Sequence, residues 1–185
     1  MSEDARVRYT KMMIQNSFIQ LVREKPFSKI KLKEVCELAG INHSTFYRYY
    51  KDIFDWKEQL EAACRERTLM IIENGSLTNI RDILIAQLQD FLSAKELYSM
   101  MTSDNFESTI IQQSYALCIS KAESALKEVI LSNPQGKEKW DCYYTVHGAI
   151  GVMECWIKDG MIQPPEEVAD YMLSHTLSNF KEYQG

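Results

Sequence analysis

The three histidines, His43, His147 and His175, are the side chains best suited to proton transfer or metal ligation, and none stands at triad or metal-ligand spacing from a partner. No HExxH pair, glycine-rich phosphate loop or nucleophile elbow occurs. The five cysteines (Cys36, Cys64, Cys118, Cys142, Cys155) are odd in number and never form a CxxC pair. That pattern argues against a disulfide framework and against a zinc site, and fits reduced thiols. The sequence therefore gives no enzyme, no metal and no cofactor expectation. The chemistry-bearing residues that do cluster lie in KIKLKEVCELAGINHSTFYRYYKD, Lys29 to Asp52. Read as helix from His43 to Tyr50, this stretch turns His43, Ser44, Tyr47 and Arg48 to one side. Phe46 and Tyr49 project roughly opposite, with Tyr50 at the edge. One face can pack while the other offers hydrogen-bonding groups to a groove, and the DNA major groove, about 12 Å wide, admits a helix. Lys29, Lys31 and Lys51 flank the stretch and can neutralise phosphates. Ser28 or Lys31, at the start of the preceding helix, offers donors to a phosphate at the positive helix end.

The elements that must position these groups can be read from spacing. Ile14, Phe18, Leu21 and Val22 make one apolar stripe on a helix from Asp4 to Glu24, ended by Pro26, which pushes the residue before it out of helical geometry. Phe27 plugs the corner. Leu32, Val35, Cys36 and Ala39 repeat the stripe on a short second helix, about Lys31 to Leu38, and Gly40 stands where a left-handed C′ residue belongs. Asn42 is a good N-cap for the third helix, with Phe46 and Tyr50 on its packed side. Two short helices joined by a tight turn form a helix-turn-helix, about residues 31–50. Asp52 caps a long fourth helix through about Glu73, which Asn74-Gly75-Ser76 breaks. Helices are expected at roughly Asn79–Ala94, Lys95–Thr102, Glu107–Leu131, Lys137–Lys158 and Glu166–Tyr183. The expected architecture is all-α. A three-helix head (1–51) with the helix-turn-helix is joined by a connecting helix (52–75) to a helical ligand-binding and dimerisation body (76–185).

Charge supports the division. Residues 1–51 hold ten Lys/Arg against five Asp/Glu, whereas residues 52–185 hold eleven against twenty-one. A basic segment on an acidic body suggests that the head alone meets a polyanion. The longest mostly apolar run, Val146 to Ile157, is about twelve residues, short of the roughly twenty that a membrane span needs. Without a signal-peptide pattern the expected location is the cytoplasm.

These residues together resemble the DNA-binding domain of the TetR family of bacterial transcriptional regulators. Val35, Ala39-Gly40-Ile41, Thr45-Phe46-Tyr47, Tyr49-Tyr50-Lys51 and Leu60 carry the resemblance over the first third of the chain. It implies that Tyr47 and Tyr49 contact phosphates, assisted by Thr45 and Lys51, and that Asn42, His43, Ser44 and Arg48 lie near bases or their flanking phosphates. The family often has Ser where Asn42 stands, and His or Phe where Tyr49 and Tyr50 stand. A second resemblance covers HGAIGVMECWIKDGMIQPPEEVADYM, through Gly148, Gly151, Trp156, Gly160 and the Pro-Pro-Glu-Glu that follows. It is to the subgroup of TetR-like C-terminal domains that includes regulators of dihydroxyacetone-kinase operons.

The resemblance implies a homodimer through the last two long helices. On them Gly148 and Gly151 let a neighbouring helix come close, with Trp140, Tyr144, Trp156 and Tyr171 as apolar contacts. Two recognition helices would then read a near-palindromic site in double-stranded DNA, about one turn apart. TetR-like bodies usually hold an inducer cavity, for which Tyr98, Met101, Phe106, Tyr115, Cys118 and Met153 supply adaptable apolar surface. The expected function is a sequence-specific regulator, a repressor released by a small ligand or a partner. The alternative is a regulator or activator controlled by protein contact.

Overall fold

A computed structural model describes residues 3–75, 80–110, 113, 116–117, 119–120 and 137–180. The fold is all-α, with eight helices and no strand among those residues: α1 (Glu3–Glu24), α2 (Leu32–Ala39), α3 (His43–Tyr47), α4 (Ile53–Asn74), α5 (Ile80–Ser93), α6 (Lys95–Met101), α7 (Glu138–Lys158) and α8 (Pro165–Phe180). None of the described helices is long and apolar enough to cross a membrane. Packing divides the chain into two compact units, Met1–Cys64 with Glu96–Ser108, and Arg65–Lys95 with Thr109–Gly185. The chain-order division at residues 51 and 75 thus differs from the packing. Most of α6 and the loop after it belong with the N-terminal helices.

The reason lies in the aromatic core of the first unit. Phe18 of α1 stacks on Trp56 of α4 with ring centroids 3.7 Å apart. Phe27, in the single 3₁₀ turn Phe27–Lys29 after Pro26, meets Phe106 edge-on at 5.3 Å. Phe106 is fully buried and also stands edge-on to Trp56. Buried aromatics of this size dominate core energetics, so α1 to α4 lack a complete core without Phe106. The loop is held by polar bonds as well. The Phe27 N–H donates to the Asn105 carbonyl at 2.7 Å, and the Asn105 amide donates to the Val22 carbonyl at 2.8 Å. Lys57 Nζ donates to the carbonyls of Phe106 and Glu107, both at 2.8 Å. It also sits 4.8 Å from the Phe106 ring centroid, an arrangement that attracts a cation to the ring face. Glu107 takes the left-handed conformation (φ 53°), unusual for a non-glycine, and the Lys57 bond to its carbonyl helps to hold it there.

In the second unit α8 packs on α5 and on α7. Val168, Ala169 and Met172 bury one side of α8, and Arg81 of α5 grips Asp170 of α8 with two bonds at 2.6 and 3.0 Å. At the end of α7, Gly160 (φ 87°) lets the chain reverse, and the Met161 N–H returns to the Trp156 carbonyl at 2.8 Å. Trp156 is buried, and its Nε1 donates to the Gln163 carbonyl at 3.1 Å.

Candidate nucleic-acid interface

The exposed surface around α3 is built by caps. Gly40 adopts φ 64°, and the Ile41 N–H bonds back to the Cys36 carbonyl at 3.0 Å, so α2 stops there. A side chain at position 40 would be strained, because L-residues avoid this conformation. Two residues later Asn42 caps α3. Its Oδ1 accepts three bonds, from the Thr45 N–H (2.8 Å), Thr45 Oγ1 (2.8 Å) and Ser44 Oγ (2.7 Å). The Ser44 and Thr45 hydroxyl protons are therefore engaged, leaving their oxygens as acceptors, while the Asn42 amide N–H groups remain donors.

Helix α3 is shorter than its spacing predicts: it ends at Tyr47 instead of continuing to Tyr50. The Arg48 and Tyr49 N–H groups bond three residues back, to Thr45 at 3.3 Å and Phe46 at 3.0 Å, tightening the last turn. The tighter turn carries Tyr50 into the core, 7% exposed, with its ring 5.3 Å from Phe46. Burial raises the Tyr50 hydroxyl above its ordinary pKa, and the Asp55 carboxylate adds to the effect. Tyr49, expected to point away from the open face, is half-buried. Phe46 is fully buried while Tyr47 is 56% exposed, so the packed and open sides of α3 divide as the spacing predicts. Asn42, His43, Ser44, Tyr47 and Arg48 form one exposed run, with Thr45 half-buried beside it.

The flanking basic residues are also in place. Ser28, Lys29, Lys31 and Lys51 are all exposed. Lys31 is the N-cap residue of α2, and its N–H donates to the Glu34 carboxylate at 2.9 Å. The Lys25 ammonium bound to Glu34, followed by the Lys31 N–H, holds that carboxyl below its ordinary pKa. At α4 the Asp52 carboxylate accepts from the Phe54 and Asp55 N–H groups, both at 2.8 Å. The Asp55 carboxylate accepts from the Lys51 N–H at 2.7 Å and from the Gln59 amide, which together lower its pKa. Lys51 is thus tied by its backbone, while its ammonium makes no hydrogen bond among the described residues. One basic residue went unnoticed in the sequence. Lys11 of α1 places its Nζ 5.8 Å from the Tyr49 ring centroid and 5.9 Å from that of Tyr50. Only its position beside the Ile14–Phe18 stripe hints at this.

The region that follows α4 identifies the family of the chain that carries this surface. Residues 78–177, just over half of the chain, match a TetR-type family model for a transcriptional regulator C-terminal region. The chain belongs to the TetR family of transcriptional regulators. Solved structures agree in fold. A TetR transcriptional regulator from Streptococcus agalactiae 2603V superposes with a TM-score of 0.61 at 20% identity, covering 94% of this chain and 97% of that one. The dihydroxyacetone kinase operon activator DhaS superposes at 0.56 with 15% identity, covering 93% and 96%. No curated protein sequence matches the chain.

Within this TetR-family chain the described members of the expected cavity set are divided between the two units. Tyr98, Met101 and Phe106 are core residues of the first unit, 4%, 1% and 0% exposed, and Met153 lies half-buried in the second. Tyr115 and Cys118 lie outside the described side chains. A cleft of about 340 Å³ does open on the α7–α8 pair, lined by Tyr144, His147, Gly148, Val152, Tyr171 and His175 among others. None of the four described ones, Tyr98, Met101, Phe106 and Met153, is among the residues that line it. Tyr144, Gly148 and Tyr171, expected at a dimer contact, are. Trp140, Tyr144 and Tyr171 are 71%, 73% and 55% exposed. A Cβ added at Gly148 or Gly151 would meet nothing within 4 Å among the described residues, so neither glycine relieves crowding against them. Trp156, expected with them, is buried under the α7–α8 corner, where its indole N–H is satisfied. Among the described residues no cluster of three or more His, Cys, Asp or Glu could hold a metal ion.

Proposed function

We propose that this TetR-family chain binds double-stranded DNA through the exposed run Asn42–Arg48, as a homodimer on a near-palindromic operator, and regulates transcription there. The observation that carries the reading is the split of α3. Phe46 is fully buried and Tyr50 nearly so, while His43, Ser44, Tyr47 and Arg48 stand exposed together within a basic segment of an acidic protein. A short helix with donors, acceptors and a guanidinium on its open face, flanked by exposed lysines, suits base edges and phosphates together. In this reading Tyr47, Tyr49, Lys29, Lys31 and Lys51 hold phosphates, with Ser28 and Thr45 assisting. Asn42, His43, Ser44 and Arg48 face bases.

The second copy completes the site. A five-residue recognition helix reads few base pairs, so two-fold pairing supplies the other half-site. The exposed aromatics Trp140, Tyr144 and Tyr171, with open space at Gly148 and Gly151, offer an apolar face on α7 and α8 that pairing would cover. The regulator acts as a repressor released by a small ligand or a partner. A second reading, activation or control through protein contact, draws support from the same apolar face, which could also receive a different chain, and from the structural relative DhaS, an operon activator.

The test is an electrophoretic shift on fragments of the source genome, with wild type against Arg48→Glu. Wild type retards a subset of fragments and the variant retards none. Equal retardation by both would remove α3 from the interface.

A further inference from the structure

Lys11 lies on α1, outside the helix-turn-helix, yet its ammonium stands over the rings of Tyr49 and Tyr50, at 5.8 and 5.9 Å. Such contacts contribute about 0.5–1 kcal/mol at exposed sites, and a lysine could sit there merely to shield two rings. Three observations point further. Lys11 is exposed and makes no hydrogen bond or ion pair among the described residues, so none of them neutralises its charge. The acid that bears on the Tyr50 hydroxyl, Asp55, already accepts from the Lys51 N–H and from Gln59. Tyr49 is fixed from the other side too, since its carbonyl accepts from Gln59 Nε2 at 3.4 Å. Tyr49 is thus held between α1 and α4, with a cation beside its ring and the exposed Tyr47, Arg48 and Lys51 next to it in the chain.

We propose that Lys11 is a DNA-phosphate contact on α1 that also positions Tyr49, extending the interface beyond the helix-turn-helix. The proposal rests on the DNA-binding reading given above. A phosphate contact carries no sequence information, so it acts on every duplex alike. It also has a signature that ring shielding lacks: each neutralised phosphate contributes about 0.9 to the slope of log affinity against log salt.

The experiment measures that slope by fluorescence anisotropy, with the full chain and a labelled random-sequence duplex. Wild type, Lys11→Met and Lys11→Arg are compared, with thermal midpoints as a check on folding. The expected result is a slope shallower by about 0.9 per protomer in Lys11→Met. Affinity should fall roughly five-fold per protomer at 0.15 M salt, and Lys11→Arg should restore both. An unchanged slope in Lys11→Met overturns the proposal. So does a loss that Lys11→Arg fails to restore, since that marks a packing role. A wild type with no salt-dependent binding removes the DNA-binding reading itself, a different outcome from either.

Discussion

Replacing Asn42 separates what its side chain does for the fold from what it would do at a DNA surface. Its Oδ1 accepts from one backbone N–H and two hydroxyls. In Asn42→Ala the Ser44 hydroxyl, on an exposed residue, finds water, and that of the half-buried Thr45 largely does so. Little net energy is lost at either. The Thr45 N–H is different, because α3 has only five residues and no further turn to share the strain. Losing an N-cap acceptor costs about 1 kcal/mol, within a range of roughly 0.5–2. For a chain of this size 1 kcal/mol lowers the melting midpoint by roughly 2–4 °C. Asn42→Asp keeps the acceptor and puts negative charge at a helix N-terminus, which is favourable, so its midpoint should match or exceed wild type. In the proposed reading the same carboxylate lies near bases or their flanking phosphates and has no donor to offer. DNA affinity should therefore fall roughly ten-fold, equivalent to about 1.4 kcal/mol. Differential scanning fluorimetry and anisotropy titration read the two effects on the same samples. An unchanged midpoint in Asn42→Ala, or undiminished DNA affinity in Asn42→Asp, would refute the reasoning.

Phe106→Ala empties a fully buried aromatic site in the first unit and should cost about 3–5 kcal/mol, read by chemical denaturation; a loss under 1 kcal/mol would deny Phe106 its place in that core. Glu34 has a pKa below its ordinary 4.5, so its contribution is present above that value and is lost as pH falls through the lower folded value. Glu34→Gln should therefore flatten the acid limb of a midpoint-against-pH curve, though not abolish it, since Asp55 is depressed as well. Gly151→Glu meets open space within the chain and replaces a helix-interior glycine, so the monomer should stay folded. By sedimentation the variant should fall from twice 21.5 kDa to that mass; a wild type already at the lower mass contradicts the dimer.

How much was legible in the sequence depended on how local the signal was. The cap at Asn42, the left-handed Gly40, the stop before Pro26 and the division of Phe46 from Tyr47 are decided within a few residues, and spacing finds them. The early end of α3 was hidden because four residues, Tyr47 to Tyr50, fit helical periodicity, while the pull of Tyr50 into the core is tertiary. The burial of Tyr98, Met101 and Phe106 in the first unit was hidden for the same reason. An adaptable apolar cluster in the middle of a chain has one composition whether it lines a cavity or completes a distant core. The bonds from Phe27, Asn105 and Lys57 tie Phe106 and its loop to the N-terminal helices, and Tyr98 and Met101 fall in the same compact unit. Trp156 followed suit: a tryptophan near two glycines reads as an anchor for a neighbour, but its N–H is satisfied seven residues on, by Gln163. Lys11 carried only the faint local signal of its place beside the Ile14–Phe18 stripe, since its partners lie about forty residues away.

The central claim is that the exposed face of α3 reads DNA in two-fold pairs. Genome-wide mapping of bound sites, followed by hydroxyl-radical footprinting of the strongest one, tests it most directly. The account predicts two symmetric half-sites about one helical turn, roughly 34 Å, apart, with protection lost in Arg48→Glu. A single asymmetric footprint, or one that survives Arg48→Glu unchanged, would contradict it.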